Sequence, residues 1–311
     1  MIIVTGGAGF IGSNLVHHLN AIGVTDLLLV DDLTDGEKHR NLRGARFADY
    51  LDVADFAKQL TGVGKIEAVL HQGACTDTTE RDGRVMMRAN FDAARTLLAF
   101  AQDSRAPFIY ASSAAVYGDG RDGFAEEPGC ERPLNVYGFS KLAFDNHARW
   151  QFDDARAPII GLRYFNVYGP NEAHKKEMAS LVHQLYVAAD AGEPLRVFEG
   201  SERFKRDFVY VDDICAIVLH FLAHPTTGIY NCGTGESSSC LELAQAVQKH
   251  RLRTAVVEKP FPEALSRTYQ TFTEANLSRL RGAGCSVDFK NLAAGVAICS
   301  DQHRLYGGYR C

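Results

Sequence analysis

A chain of 311 residues is about twice the usual domain length, so two lobes and a sizeable core are expected. Apolar residues at 46% and charged residues at 23% are ordinary for a globular protein and exclude extended disorder. Lys and Arg number 33 against 38 Asp and Glu, and the resulting charge of −5 argues against a nucleic-acid partner.

No run of about 18 apolar residues is present, so no membrane span is expected. Met1-Ile2-Ile3-Val4 enters a motif directly, leaving no room for a signal peptide, and a cytoplasmic protein is expected. The eight cysteines are Cys75, Cys130, Cys215, Cys232, Cys240, Cys285, Cys299 and Cys311. They contain no CxxC pair, so neither a metal site nor a thioredoxin-like site is predicted. A disulfide framework does not suit a chain of this size that stays in the cell, and buried thiols are expected.

Strand-like runs follow in order at Ile2-Val4, Leu27-Val30, Ala68-His71, Phe108-Ala111 and Ile159-Leu162. Between the first two, Leu15, Leu19 and Ile22 recur at i, i+4 and i+7, one face of a helix. Strand alternating with helix predicts an α/β fold, a parallel sheet with helices on both faces. After residue 170 the rhythm loosens, with strand-like runs at Leu195-Phe198, Phe208-Val211, Ile229-Asn231 and Ala255-Val257. Helix-like stretches cover Ala179-Ala191, Asp212-Ala223 and Leu241-His250. Lys290 to Val296 opens a further helix-like stretch. Ile298-Cys299-Ser300-Asp301 and Gly307-Gly308 do not sustain its apolar face, so an irregular or frayed tail is expected.

Thr5-Gly6-Gly7-Ala8-Gly9-Phe10-Ile11-Gly12 satisfies both GxGxxG and GxxGxxG. It follows a strand and opens an amphipathic helix, the context in which such glycines let backbone approach a pyrophosphate at a helix N-terminus. A Rossmann-type sheet is therefore expected, with residues 1–168 and about 208–233 as its cofactor-binding domain. Residues 169–207 and about 234–311 are left for a smaller α/β substrate-binding lobe. Asp31 and Asp32 follow about twenty residues after the glycines, where an acid usually binds an adenosine ribose and favours NAD. Lys38 offsets that by offering a cation to a 2′-phosphate, so NAD and NADP both stay open.

Tyr137-Gly138-Phe139-Ser140-Lys141 places Tyr and Lys on one helix face. An ammonium beside a phenol lowers the phenol's pKa and prepares a base for an alcohol proton. Upstream, Ser112-Ser113 ends the strand Phe108-Ala111, where ligands of open α/β sheets bind.

These residues resemble the extended short-chain dehydrogenase/reductases that act on nucleotide sugars. The resemblance runs from the glycine loop through Arg163-Tyr164-Phe165-Asn166-Val167-Tyr168-Gly169-Pro170 to Arg206-Asp207-Phe208-Val209-Tyr210-Val211-Asp212-Asp213. More specific segments are His71-Gln72-Gly73-Ala74-Cys75, Pro133-Leu134-Asn135-Val136-Tyr137, His174-Lys175-Lys176-Glu177-Met178-Ala179-Ser180, Phe198-Glu199-Gly200-Ser201 and Tyr269-Gln270-Thr271-Phe272. They are most similar to the branch that inverts C6 of the heptose of an ADP-heptose, for a lipopolysaccharide core precursor. That branch proceeds through a transient ketone with bound NADP.

The resemblance implies Tyr137 as proton acceptor, Lys141 as its partner and cofactor ligand, Ser113 as the polarising hydroxyl and Lys175 as a second acid/base. It implies cofactor contacts at Gly6, Gly9, Phe10, Ile11, Gly12, Asp31, Asp32, Lys38, Gln72, Gly73, Ala74, Cys75, Thr76 and Asn90. The sugar nucleotide falls to Asn166, Phe198, Glu199, Gly200, Ser201, Arg206 and Tyr269. A guanidinium at 206 suits a pyrophosphate, which it binds in a bidentate way; a salt bridge between the lobes is the plainer reading. A homo-oligomer, specifically a pentamer, is implied as well.

Some positions depart from the pattern. Val53 stands where the family can carry a basic residue near the adenosine, and Asp32 where Asn is usual, which adds a charge hostile to a 2′-phosphate. Glu177 replaces a small hydroxyl residue, and the Cys299 to Cys311 tail replaces an expected helix end. A hexose 4-epimerase and a non-catalytic dinucleotide-binding regulator remain the alternatives. A 4,6-dehydratase fits less well, because Ala114 and Ala115 stand where that class has an acid.

Overall fold

The computed structural model describes residues 1–59, 62–263 and 269–310. Its first half alternates strictly: β1 (Ile2–Thr5), α1 (Phe10–Ala21), β2 (Leu27–Asp31), β3 (Asp49–Asp52), α2 (Val53–Gln59), β4 (Ala68–His71), α3 (Gly83–Met86), α4 (Ala93–Asp103), β5 (Phe108–Ser113), α5 (Val136–Arg149) and β6 (Ile159–Tyr164). Then come β7 (Asn166–Tyr168), α6 (Leu181–Asp190), β8 (Leu195–Phe198), β9 (Lys205–Arg206), β10 (Phe208–Tyr210), α7 (Val211–Ala223) and β11 (Gly228–Cys232). The chain ends with β12 (Ser238–Ser239), α8 (Cys240–His250), β13 (Val256–Lys259), α9 (Ser278–Gly282) and α10 (Leu292–Tyr306).

Seven strands form one sheet in the order β11-β6-β5-β4-β1-β2-β3, each pair parallel. The pleat sends alternate residues to opposite faces. Ile2, Val4, Leu27, Leu29, Leu70 and Ile109 meet α1 and α7 through Leu15, Leu19, Ile214 and Val218. Ile3, Leu28, Val30, Val69 and Phe108 meet α4 and α5 through Leu97, Leu98 and Phe144. Three layers result, as a Rossmann-type α/β sheet requires. The strand order reverses between β1 and β4, the switch point beside which such sheets bind ligands.

The second core gathers Val182, Leu185, Leu195, Val197, Leu243, Val247 and Val296 from α6, β8, α8 and α10. Small sheets β8–β13 and β9–β12 belong to this lobe, and the β7–β10 pair lies where the chain passes between it and the main sheet. Among the described residues, no helix is long and apolar enough to cross a membrane.

Two expectations are corrected. Ile22 is not on the buried face of α1. It caps the helix and is 62% exposed, because the chain turns away at Gly23, which has φ +86°. The tail is not frayed either. Helix α10 runs unbroken to Tyr306, with Val296, Cys299 and Ser300 buried, and Gly307 at φ +62° ends it in a left-handed cap. Its small residues hid the buried face; Gly295 has the ring of Tyr168 where a side chain would stand. Beyond it, the Arg310 N–H donates to Asn171 Oδ1 at 2.8 Å and its guanidinium to Asn14 Oδ1 at 2.6 Å and to Asp212. Cys311 lies outside the described residues.

Beneath the sheet's carboxyl edge the Arg163 side chain is fully buried. It donates to Asp145 Oδ2 and to Tyr117 Oη, both at 2.9 Å, and to Glu131. Asp145 also accepts from Tyr110 Oη and Ser112 Oγ at 3.0 Å. Replacing Asp145 by Ala leaves a buried guanidinium short of its charge partner, and a loss of about 3–5 kcal/mol is expected. Urea denaturation of the variant measures it; a loss under about 1 kcal/mol would mean the network carries little.

Candidate active site

The glycine loop is a close contact between backbones. Gly6 adopts φ +66°, and a Cβ there would lie 2.6 Å from Gly73 N on the loop after β4. A Cβ at Gly12 would run into the Gly6 carbonyl. Gly9 caps α1 without a side chain, so no side-chain acceptor covers the first N–H groups of the helix. A bare cradle at a helix N-terminus fits a pyrophosphate, and hence a dinucleotide.

Asp31 braces that cradle. Its carboxylate accepts the Ala8 and Asp32 N–H groups at 2.7 Å and the Lys38 ammonium at 2.8 Å. Lys38 donates also to the Asp32 carbonyl at 2.8 Å. The Asp32 carboxylate accepts Thr34 N–H, which holds it below the usual carboxylate range. Thr5 and His71, at the ends of β1 and β4, share a 2.6 Å hydrogen bond. Burial, with the Lys141 charge nearby, pushes His71 down to about 3, so this seam is neutral.

A cavity of about 750 Å³ opens here. Gly6, Asp31, Asp32, Lys38, Gly73, Ala74 and Cys75 line it, together with Val53, Phe56, Val85, Arg88, Ala93 and Leu97. Gly9, Phe10, Ile11 and Gly12, at the start of α1, are outside this lining, and Thr76 is exposed. Asn90 is buried rather than open to a ligand. It accepts Cys75 N–H at 2.8 Å and donates to Cys75 O and Ser140 Oγ at 3.0 Å, so it sets the shape of the loop that lines the cavity. Gln72 accepts from Tyr164 Oη at 2.9 Å, and its buried Nε2 has no protein partner.

Ser113 ends β5, while Tyr137 and Lys141 occupy the first turns of α5, capped by the Asn135 side chain. Gly138 lets this helix close on the serine loop, since a Cβ there would be 2.7 Å from Ala115 O. The Ser113 hydroxyl lies within hydrogen-bonding reach of the Tyr137 phenol. Burial raises the phenol's pKa, and the serine hydrogen bond lowers it. The expected lowering by Lys141 is not what the geometry provides, because the ammonium donates to Ala111 O at 2.9 Å. Burial brings Lys141 itself down to about 8, against the opposing pull of Asp145 and Cys75.

Lys175 packs against the start of α1. Its ammonium sits 5.3 Å from the centre of the Phe10 ring at the start of α1. The next residue, Lys176, has φ +50°, and His174 Nδ1 is 3.1 Å from Asn41 Nδ2. Glu177 is exposed.

In the second lobe Arg206 is buried, and among the described residues no carboxylate pairs with it. The neighbouring Asp207 is already taken, accepting from Thr234, Gly235 and Ala275. The salt-bridge reading of Arg206 therefore fails. The guanidinium lies over the Tyr269 ring at 4.9 Å, and Tyr269 packs edge-on to Phe198, Phe204 and Phe261. Glu199 is exposed, Gly200 takes φ +79°, and the buried Ser201 Oγ has no partner. Asn166 Oδ1 accepts from Thr273 at 3.2 Å. Gln270 donates to Gly118 O at 2.6 Å, tying Tyr269 to the serine loop. Phe204, Phe261, Arg88 and this tether were missed by the sequence reading.

Residues 2–233 match the NAD dependent epimerase/dehydratase family. The chain belongs to that family. Over 305 residues, 95% of each chain, it is 52% identical to the ADP-L-glycero-D-manno-heptose-6-epimerase of Alkalilimnicola ehrlichii. The crystal structure of the Helicobacter pylori ADP-L-glycero-D-manno-heptose-6-epimerase superposes with a TM-score of 0.86 at 29% identity, covering 98% of this chain and 96% of that one. Thermus thermophilus UDP-glucose 4-epimerase, in complex with NAD, gives 0.83 at 26% identity, covering 98% and 99%.

In this family member the buried lysine makes a testable pH signature. Between about 8 and the ordinary lysine range the unfolded chain holds a proton at Lys141 that the folded chain has released. Folding stability from this group therefore rises with pH across that window. Relative to Lys141→Met, the wild type should gain stability from pH 8 to pH 10, measured by denaturant titration. A constant difference would mean that Lys141 titrates normally.

Proposed function

We propose that the protein epimerises C6 of the heptose of an ADP-heptose, interconverting the D-glycero and L-glycero forms. The reading rests on the 52% identity maintained across 95% of both chains. The pocket chemistry agrees: a buried guanidinium without a carboxylate suits a diphosphate, and the surrounding rings suit a base. Asn166 and residues Phe198 to Ser201 would complete the sugar-nucleotide pocket. Residues 1–168 with about 208–233 would carry the cofactor, and the remainder the substrate.

When bound, a nicotinamide dinucleotide supplies the acceptor and donor of hydride. The glycine loop and α1 would hold its pyrophosphate, Asp31, Asp32 and Lys38 its adenosine end, and Lys141 its other ribose. We assign NADP, with NAD as the alternative. Ser113 orients the reacting oxygen, and Tyr137 takes or returns its proton; the raised phenol pKa keeps that proton on Tyr137 at rest. Lys175 would serve the opposite face of the sugar, leaving the Phe10 ring to do so. The protein would work as a homo-oligomer in the cytoplasm.

Purified protein given ADP-D-glycero-D-manno-heptose should form the L-glycero epimer, and UDP-glucose should stay unchanged. Substrate deuterated at C6 should keep its label in ordinary water. Wash-out would mean that a proton is abstracted from carbon, contrary to a ketone route. Tyr137→Phe and Lys175→Met should each lower turnover by roughly 10²-fold or more. If Lys175→Met turns over both epimers at the wild-type rate, Lys175 is not an acid/base.

A further inference from the structure

The charges around the adenosine end of the cavity cancel except for two. Asp31 is covered by Lys38 and two N–H groups, and Asp92 is paired with Arg95 at 3.0 Å. That leaves the Asp32 carboxylate and the Arg88 guanidinium as the two charges of the lining without an opposite partner. Among the described residues, the Arg88 guanidinium has neither a hydrogen bond nor an ion pair. The residue belongs to a π-helical turn, Met87–Asp92, between α3 and α4. Such a wide turn is uncommon and frequent at functional sites. Here Asn90 pins it to the Cys75 backbone and to Ser140, which fixes the wall that carries Arg88.

The rest of the lining supplies little positive charge. Val53 and Phe56 are apolar, and Lys38 has engaged two of its three donors on Asp31 and Asp32. A phosphomonoester carries a charge of about −1.5 to −2 at neutral pH, and beside Asp32 it needs more than one partly committed ammonium. We propose that Arg88 recognises the 2′-phosphate of the cofactor's adenosine and so sets the preference for NADP over NAD. The inference rests on the nicotinamide reading above. Its chemistry is that of a guanidinium fork, which offers two parallel N–H donors to phosphate oxygens.

The test compares wild type, Arg88→Gln and Arg88→Lys. Mass spectrometry of the cofactor released on denaturation gives the NADP to NAD ratio, and thermal shifts on adding each dinucleotide give the affinities. Arg88 is exposed, so the variants should fold. Arg88→Gln should weaken NADP by about tenfold or more, as expected for losing charge-assisted hydrogen bonds. Its affinity for NAD should change less than about twofold, and Arg88→Lys should recover part of the loss. Equal weakening of both dinucleotides would place Arg88 against the adenine and overturn the proposal. So would an Arg88→Gln variant that binds NADP as the wild type does, or a wild type that prefers NAD. A wild type that neither releases nor binds either dinucleotide overturns the nicotinamide reading as well.

Discussion

Arg163 has no route to water, and much of the site's geometry follows from that. Its guanidinium must find acceptors, and it finds them on three different segments: the carboxylates of Asp145 on α5 and Glu131 on the preceding loop, and the neutral Tyr117 hydroxyl after β5. Removing either carboxylate would strand a buried charge, so these segments are fixed with respect to β6. They are the segments that carry chemistry. Ser112, next to Ser113, bonds Asp145, and Asp145 lies one helical turn beyond Lys141. A buried pair of this kind adds little net stability against an apolar alternative, yet it admits few other arrangements. The spacing of Ser113, Tyr137 and Lys141 is thus determined from below the sheet edge.

Above that edge, closeness comes from absent side chains. Gly6 against Gly73, Gly12 against Gly6 and Gly138 against Ala115 are backbone contacts that a methyl group would prevent. They bring the loops after β1, β4 and β5 together at the switch point. Asn90 and Asp31 then hold those loops with side-chain bonds to backbone N–H groups. Polar residues in a cofactor region need not touch the cofactor; several of these shape what does.

The alternation of strands and helices was legible because β1, β2 and β4 are buried on both faces and read as short apolar runs. β3 was not, since Asp49-Tyr50-Leu51-Asp52 is an edge strand with polar ends. Helix α10 hid because its buried face is built from Gly295, Val296, Cys299 and Ser300, too small to register as an apolar stripe. The glycine loop and the Tyr-Lys helix were legible because their chemistry is local in sequence. Arg88 was not, since it reaches the cavity lining through the fold of the π-helical turn and not through a local motif. The same holds for the state of Lys141, whose ammonium the sequence places beside Tyr137 and the fold ties to Ala111 O.

The two lobes meet through residues that neighbour the site. On one side Asn14, on α1, donates to Pro170 O and accepts from Arg310, while Asn171 donates to Ser13 Oγ. On the other side Gln270 reaches the carbonyls of the serine loop. Asn14 is one turn from Phe10, over which Lys175 rests, and Gln270 adjoins Tyr269, over which Arg206 rests. The contacts between the lobes therefore adjoin both cations. The divergent tail belongs to this arrangement, because Arg310 bonds to Asn14 and Asp212 of the sheet's helices and to Asn171 of the other lobe. A stretch without side-chain periodicity thus ties α1 and α7 to the segment after β7.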